Sequence, residues 1–266
     1  MENTFGFIGT GNMGGALARA AAKANVPMLL ANRTAAKAEA LASELGCQAA
    51  SAEEVAGQCG YVFLGVKPQM MKDLLEAVAP VLAARTDDFV LVSMAAGLTM
   101  EDIRTMAGAP YPVIRIMPNT PVAVGSGVVL YDATENVAEP VLEQFCQGLR
   151  FVGLLDPLPE HLMDAGSAVA GCGPAFAAMF MEALADGAVA CGLPRAKALD
   201  YAAQMLLGTA RLALESGQHP GQMKDAVCSP GGSTIAGVHT LEQGGFRSAT
   251  MEAVKAAYQR TKELGK

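Results

Sequence analysis

Short apolar runs alternate with amphipathic stretches over the first 156 residues of the chain. The runs that have the character of buried strands are TFGFIG, PMLLAN, YVFLGV, DFVLVSM, YPVIRIMPNTP, GSGVVLYDA and RFVGLL. Between them, NMGGALARAAAK, AAKAEALASELG, QMMKDLLEAVAPVL and ENVAEPVLEQFCQGL carry apolar residues at helical spacing. Strands that alternate with helices in this way build a mostly parallel sheet with helices on both faces. We therefore predict an α/β, doubly wound domain over residues 1–156.

The pattern changes after DPLPEH, where long stretches rich in Ala, Leu and Met replace the β-branched runs. Pro174 suits a first helical position, and Gly192 and Gly217 suit helix ends. The predicted helices span 161–169, 174–191, 195–216, 219–227, 233–243 and 245–264. We predict an all-α C-terminal domain over residues 157–266, joined to the first domain by a linker near 154–160.

Several of these helices are apolar on more than one side. The stretch AAMFMEALADGAVACG, at residues 177–192, is an example. A helix of this kind normally buries its second apolar face against another helix or another chain. We therefore predict that the C-terminal domain is a dimerisation domain and that the protein is a homodimer.

Composition narrows the classes of partner. With 52% hydrophobic residues, a net charge of −7 and a pI near 5.0, the chain can build large cores but offers no basic stripe for a nucleic acid. The apolar stretch 167–181 ends at Glu182, short of the ~20 residues that cross a bilayer. We expect neither a nucleic-acid nor a membrane partner.

The start of the chain and the cysteines bear on the compartment. The segment MENTFGFIG has acidic Glu2 where a signal peptide has a basic region. The six cysteines have no metal-binding spacing, so we expect no metal site. We predict a cytoplasmic protein whose cysteines are reduced, buried thiols.

The first candidate site is the glycine-rich turn GTGNMG at residues 9–14, placed between a predicted strand and a predicted helix. Gly9 permits the tight turn, Gly11 lets the backbone approach a diphosphate, and Gly14 lets helix and strand pack closely. Thr10, Asn12 and Met13 complete the predicted cofactor-binding turn. This context favours a Rossmann-like dinucleotide site, with a purely structural glycine turn as the alternative.

The residues after the second strand distinguish NAD from NADP. A carboxylate there binds the ribose 2′-hydroxyl of NAD, whereas this chain has Asn32, Arg33 and Thr34. Arg33 is able to bind a 2′-phosphate, with further hydrogen bonds from Asn32 and Thr34. We predict NADPH as the cofactor and NADH as a second choice; the alternative is that Arg33 is a solvated surface charge.

Three more loops follow strands of the predicted sheet, at the edge where open α/β sheets bind ligands. The residues predicted to line the cofactor cleft are Val66, Lys67, Pro68, Ala95 and Ala96. The alternative for Lys67 is that it is an exposed loop lysine that binds no cofactor. In MPNTP, residues 117–121, Asn119 is able to meet the polar edge of a substrate.

A second glycine-rich turn, VCSPGGSTIAGV at residues 227–238, also precedes a predicted helix. The first N–H groups of a helix lack partners within the helix and attract anions. Gly232, Ser233 and Thr234 would present these N–H groups and two hydroxyls to a ligand. The alternative is that Ser233 or Thr234 caps its own helix.

The whole chain resembles the pyrroline-5-carboxylate reductase family. The similar segments are GFIGTGNMGGALA, VKPQ, MPNTP, SAVAGCGPAF and, most distinctively, HPGQMKDAVCSPGGSTIAGVHTLEQGGFRSA. The resemblance implies reduction of 1-pyrroline-5-carboxylate to L-proline by NAD(P)H, and helical domains that interleave into dimers able to assemble further. It also implies that Gly232, Ser233 and Thr234 hold the carboxylate of this cyclic imino acid, in a cleft reached from the partner subunit.

The reaction itself makes small demands on the protein. A protonated cyclic imine is already electrophilic, so the enzyme mainly positions its carbon for hydride transfer. Thr234 is the candidate catalytic residue, a hydroxyl able to hydrogen-bond the ring nitrogen, although water or a protonated substrate could supply the proton instead. Where the family commonly has a loop similar to SGSGPAY, this chain has AGCGPAF, residues 170–176, which weakens a direct role of that loop in binding substrate.

Other functions remain open on sequence alone. A β-hydroxyacid reductase, a different imino-acid reductase and a non-catalytic NADP sensor would all share the glycine-rich turn. His161, His219 and His239 lack a catalytic spacing, and we expect them to be structural or on the surface. Hydroxyacid dehydrogenases generally need a base such as His or Lys to accept the alcohol proton. Because none of the three histidines has a catalytic spacing, the sequence favours a C=N substrate. We expect Cys172 to be an inert, buried filler.

Overall fold

The computed structural model describes residues 1–264, which contain one sheet of eight strands. The strands are β1 (Phe5–Ile8), β2 (Met28–Ala31), β3 (Gln48–Ala49), β4 (Tyr61–Leu64), β5 (Val90–Ser93), β6 (Val113–Pro118), β7 (Gly127–Ala133) and β8 (Gly153–Pro157). Their order in the sheet is β3-β2-β1-β4-β5-β6-β7-β8. All neighbouring strands are parallel except β6 and β7, which pair antiparallel. The predicted mostly parallel, Rossmann-like sheet is confirmed.

The strand order reverses between β1 and β4, and this reversal locates the ligand-binding edge of the sheet. Ile8 at the end of β1 is in register with Ala31 of β2 and Leu64 of β4. Three strand ends therefore lie side by side, and their loops open onto the same crevice. In open α/β sheets this is the place where ligands bind.

Seven helices accompany the sheet. They are α1 (Asn12–Lys23), α2 (Ala35–Leu45), α3 (Ala52–Gln58), α4 (Met71–Ala84), α5 (Met100–Ala107), α6 (Glu139–Gly148) and α7 (Glu160–Ala170). One face of the sheet packs an aromatic cluster that includes Phe5, Phe63 and Phe145, and the other packs aliphatic residues such as Leu75 and Leu91. Burial on both faces explains why the central strands are almost entirely apolar, with Ser93 and Arg115 as buried polar exceptions.

Five further helices follow: α8 (Gly173–Ala190), α9 (Arg195–Ser216), α10 (Pro220–Ala226), α11 (Ser233–Gln243) and α12 (Phe246–Leu264). By residue contacts the chain divides into one unit of residues 1–172, together with the chain from Ala257 onward, and a second unit, Gly173–Ala256. Helix α7 and the end of α12 thus group with the sheet. The domain boundary predicted from the sequence, at 156/157, lies where the strands end and the helices begin.

The unit Gly173–Ala256 exposes much of its apolar surface. Within it only Ala185, Ala198 and Ala202 are buried, whereas Leu207 is 60% and Leu214 is 87% exposed. Small domains normally enclose their large apolar side chains. This unit therefore carries an apolar surface of the kind that a partner covers.

One helical stretch, Glu160–Ala190, contains an 18-residue window with a mean hydropathy of 1.5, of which 11% is buried. By length and composition alone this stretch passes as a membrane-spanning helix. Its run without a charged side chain is limited to residues 165–181, between Asp164 and Glu182. That run is shorter than the ~20 residues that span a bilayer.

The environment of the cysteines differs from the prediction. All six are free, but only Cys59 is buried, Cys191 is exposed and the other four, Cys172 among them, are half-buried. The expectation of uniformly buried thiols is therefore wrong, because five of these cysteines, all except Cys146, lie in turns and loops next to helix ends. Burial raises the pKa of the Cys59 thiol to about 11, so it stays protonated at neutral pH.

Candidate active site

The turn after β1 admits only glycine at its key positions. Gly9 has a φ of 107°, and a Cβ placed there would lie 2.3 Å from the carbonyl oxygen of Gly65. A Cβ on Gly14 would lie 2.1 Å from the carbonyl oxygen of Gly9. Gly65, which the sequence reasoning missed, needs the same close approach, since its Cβ would lie 2.5 Å from that oxygen. A glycine directly after a predicted buried strand was the available signal.

The N-terminus of α1 is open toward a ligand. Its N-cap is Gly11, so no side chain occupies the first free amides, and a Cβ on Gly11 would meet no atom within 4 Å. The Oγ1 of Thr10 is buried and has no hydrogen-bond partner within residues 1–264. An open helix N-terminus beside an unpartnered buried hydroxyl fits the diphosphate of a dinucleotide. The residues present thus fit NADPH at this turn.

Asn32 makes two hydrogen bonds within the protein, and its predicted contact with the cofactor stays a prediction. Its Oδ1 accepts a hydrogen bond from the Thr10 amide at 3.2 Å, and its Nδ2 donates to the Thr34 carbonyl at 3.1 Å. The side-chain amide thus braces the glycine-rich turn against the segment that carries Arg33. Arg33 and Thr34 are exposed at the start of α2 and remain free to face a 2′-phosphate.

A cleft of about 690 Å³ joins these elements. The predicted cofactor residues that line it are Gly9, Gly11, Asn32, Arg33, Thr34, Val66 and Lys67. Lys37 and Ser51 also line it and were not predicted. Pro68, Ala95 and Ala96 lie outside this lining, and Ala95 is only 2% exposed within the core. Met13 also packs against the core, so its side chain supports α1.

The second glycine-rich turn also opens a helix without a side-chain cap. The N-cap of α11 is Gly232, and Ser233 and Thr234 are the first two helical residues. The alternative, that Ser233 or Thr234 is the N-cap, is therefore wrong. Gly231 adopts a left-handed φ of 70°, a conformation that other residues rarely take. The amide of Gly232 donates to the carbonyl of Ser229 at 3.0 Å. The free amides of the turn are therefore those of Ser233 and Thr234, beside their two exposed hydroxyls.

A shallow cavity of about 570 Å³ lies beside this turn and is lined by Gly231, Gly232, Lys224 and His239, among others. The hydrogen bond to Asp225 raises the pKa of the Lys224 ammonium group. Lys224 was not predicted as a site residue, although its place three residues before the turn was visible. Its charge is paired with Asp225, and Glu242 also lines the cavity, whereas Ser233 and Thr234 do not. The attraction for an anion therefore comes mainly from the helix N-terminus.

Asn119 is committed to contacts within the protein. Its Nδ2 donates to the carbonyl of Ala170 at 2.9 Å, and its Oδ1 accepts from the amide of Val128 at 2.8 Å. The residue is 7% exposed. The structure therefore shows a bracing role, and substrate binding by Asn119 stays a prediction.

The histidines have the structural or surface positions expected of them. The Nδ1 of His219 accepts a hydrogen bond from the Gly221 amide at 3.1 Å and caps α10. His161 and His239 are exposed. Within residues 1–264, no group of three or more His, Cys, Asp or Glu side chains is placed to hold a metal.

Comparisons with known proteins agree along the whole chain. A family model for pyrroline-5-carboxylate reductase dimerisation matches residues 160–264, and one described as NADP oxidoreductase coenzyme F420-dependent matches residues 4–97. The pyrroline-5-carboxylate reductase of Pisum sativum is 40% identical over 98% of this chain and 96% of its own length. That of Escherichia coli is 36% identical over 100% of both chains.

A solved structure gives the same result. Plasmodium falciparum pyrroline carboxylate reductase with NADP bound is 30% identical, covers 100% of both chains and superposes with a TM-score of 0.87. The match includes the sheet, the glycine-rich turn and the helical C-terminal region. The chain belongs to the pyrroline-5-carboxylate reductase family.

Proposed function

We propose that this protein reduces 1-pyrroline-5-carboxylate to L-proline with NADPH, the last step of proline biosynthesis. Family membership supports this function. The structural observation that carries it is the pair of uncapped helix N-termini at Gly11 and Gly232. One suits the diphosphate of the cofactor and the other suits the carboxylate of a small acid.

The cofactor would be held by residues of the first predicted domain, 1–156. The turn Gly9–Gly14 would bind the diphosphate through its amides, with Thr10 Oγ1 as an additional partner. Arg33 and Thr34 would bind the 2′-phosphate, which favours NADPH over NADH. The rest of the dinucleotide would be bordered by Val66 and Lys67 and, further along the strand ends, by Pro68, Ala95 and Ala96. When bound, NADPH supplies the hydride.

The substrate would be held by the C-terminal domain, 157–266. Gly232, as the N-cap, would border its carboxylate, and the free amides of Ser233 and Thr234 would bind it at the positive end of the helix. The Thr234 hydroxyl would donate a hydrogen bond to the ring nitrogen. The imine carbon gains the hydride and the nitrogen ends with one added proton, supplied through Thr234, by water or by a substrate that is already protonated. Asn119, which follows β6, would add a polar contact to the substrate.

The exposed apolar surface of the helical unit supports a homodimer with interleaved helical domains. The family model for dimerisation covers residues 160–264, the same part of the chain that exposes Leu207 and Leu214. A second copy of the chain would cover these side chains, and pairs of dimers could assemble further. We propose that this dimer is cytoplasmic and binds neither nucleic acid nor membrane.

The test is oxidation of NADPH by the purified protein on addition of 1-pyrroline-5-carboxylate, repeated with NADH. We expect rapid oxidation that depends on the imine, with NADPH preferred. Reactions with a β-hydroxyacid plus NADP, and with other cyclic imines, separate this enzyme from related reductases. If NADPH is not oxidised with any imine, the protein binds the cofactor without this activity, and the proposal is refuted.

A further inference from the structure

Helix α7 lies on the sheet and is tied to it near both of its ends. Gly166, in the middle of α7, packs so closely on β7 that a Cβ there would lie 2.5 Å from Cδ1 of Leu130. Arg115, on β6, bonds to the beginning of the helix. Asn119, the residue after β6, bonds to its end. Neither contact belongs to the cofactor cleft described above.

Arg115 forms the first tie. Its side chain is 3% exposed, although it projects from a central strand of the sheet. Its Nη1 donates to Glu160 at 3.2 Å and its Nη2 donates to Asp164 at 3.1 Å. The two carboxylates are one helical turn apart, so a single guanidinium fixes both the rotation and the axial position of α7.

Glu160 extends this network to other elements. The oxygen that meets Arg115 also accepts a hydrogen bond from the amide of Met100, the first residue of α5, at 2.7 Å. The amide of Glu160 donates to Oδ2 of Asp132 on β7 at 2.6 Å. The start of α7 is thereby joined to β6, β7 and α5 by directional bonds.

Asn119 forms the second tie. The carbonyl of Ala170 belongs to the last turn of α7, where carbonyl groups have no partner further along the helix. The Asn119 amide supplies that partner at 2.9 Å. Two residues later, at Cys172, the chain leaves the unit that contains the sheet.

The buried arginine is poorly explained by stability alone. Its Nε is buried and has no hydrogen-bond partner within residues 1–264. Buried ion pairs are frequently no more stabilising than apolar side chains of similar size. Charged, bidentate contacts instead fix one element in a unique position on another.

We infer that Arg115 and Asn119 are positioning residues for hydride transfer. They fix α7, the last helix before the chain enters the unit Gly173–Ala256, which carries Gly232–Thr234. Hydride transfer requires reacting atoms within about 3–3.5 Å, and a 1 Å displacement can lower the rate about 100-fold. This inference rests on the proposed reductase activity.

The experiment compares Arg115→Lys and Asp164→Asn with the matched control Arg104→Lys. Lysine keeps the charge but cannot bind both carboxylates in the geometry of a guanidinium. Arg104 also joins elements of the same unit, through Glu135 and Asn136, but at the protein surface. Each variant is measured for NADPH affinity, for kcat with 1-pyrroline-5-carboxylate, and for the isotope effect with NADPH deuterated at the transferred position.

We expect Arg115→Lys to bind NADPH within about twofold of wild type, to lose about tenfold or more in kcat, and to show a larger isotope effect because hydride transfer becomes rate-limiting. Asp164→Asn should show a smaller change in the same direction, and it carries the test if Arg115→Lys does not fold. A loss of kcat that matches the loss of folded protein, with an unchanged isotope effect, would show a merely structural role and overturn the inference. Inactive wild-type protein would instead refute the proposed function.

Discussion

At the scale of single residues, Thr234 is the side chain on which the proposed chemistry depends most. It is exposed in the first turn of α11, beside amides that have no side-chain cap. A hydroxyl of ordinary pKa is a weak acid, so its contribution comes from orienting the ring nitrogen and passing on a proton. This contribution is the size of one good hydrogen bond in the transition state.

Replacing Thr234 by alanine should therefore lower kcat/KM for 1-pyrroline-5-carboxylate by about tenfold or more, as steady-state kinetics would measure. Thr234→Ser keeps the hydroxyl and should recover most of the loss. Thr240→Ala provides the control, because Thr240 lies on the same helix and its hydroxyl bonds to the Ala236 carbonyl. Kinetics of Thr234→Ala equal to wild type would remove this hydroxyl from the mechanism.

Arg33 tests the choice of cofactor. Arg33→Ala removes a charged hydrogen-bond donor from the rim of the cleft, and such a bond to a phosphate contributes about 1.5–3 kcal/mol. We expect the KM for NADPH to rise about tenfold or more while the KM for NADH changes little. Arg150→Ala is the control, because Arg150 is exposed, lies outside the cleft and bonds to the Gln147 carbonyl. Equal effects on both cofactors would argue against a 2′-phosphate at Arg33.

At the scale of elements, two short helices begin at capping boxes. Ser51 and Glu54 form one at α3, and Thr99 and Asp102 form the other at α5, with side chain and backbone bonded reciprocally. The bond from the Ser51 amide holds the pKa of Glu54 below its usual value. That contribution to stability is present above the unfolded pKa and is lost as pH falls through the lower, folded pKa.

Thr99→Ala should lower the free energy of unfolding by about 1 kcal/mol, because the Asp102 amide at the start of α5 loses its partner, the Thr99 hydroxyl. Chemical denaturation measures this change. Thr105→Ala, an exposed threonine inside the same helix, should change stability by less than about 0.5 kcal/mol. A Thr99→Ala variant as stable as wild type would mean that packing of Ile103 alone holds the helix.

The long elements of this fold were predictable from the sequence because periodicity extends over many residues. The helix at 12–23 has the predicted bounds, and those beginning at 195 and 233 agree as well. β3, α3 and α5 were missed, since two to eight residues are too few to establish a period. The capping boxes S-x-x-E and T-x-x-D were the signals that could have located the two helices.

Side-chain partners were harder to predict than elements. Asn32 and Asn119 follow strand ends, as ligand-binding residues do, yet both amides brace loops within the protein. A residue's place on a strand end follows from the pattern, but its partners depend on loops distant in the sequence. The antiparallel direction of β7 was equally invisible, because an apolar run has the same pattern in either direction.

At the scale of the whole molecule, the main question is what covers the apolar side chains of Gly173–Ala256. Leu207 and Leu214 are seven residues apart on α9 and both largely exposed, so they lie on the same side of the helix. An apolar stripe of this kind is stabilised by burial against a second copy of the chain.

Sedimentation should therefore give twice the chain mass of 27.4 kDa, or a higher multiple. Leu207→Glu combined with Leu214→Glu should shift the protein toward the monomer, because a charge would be buried on association. Gln147→Glu adds a carboxylate at an exposed polar position of α6, outside the unit Gly173–Ala256, and should leave the dimer intact. Wild-type protein that sediments as a monomer would contradict the proposed assembly.

The central claim is that two open helix N-termini hold the two reactants, the dinucleotide at Gly11 and the substrate's acid group at Gly232. A crystal structure with NADP and L-proline bound tests this most directly. The account predicts the diphosphate at residues 9–14 and the proline carboxylate against the backbone of residues 232–234, bound by the free amides of Ser233 and Thr234. A carboxylate bound at any other part of the chain would contradict it.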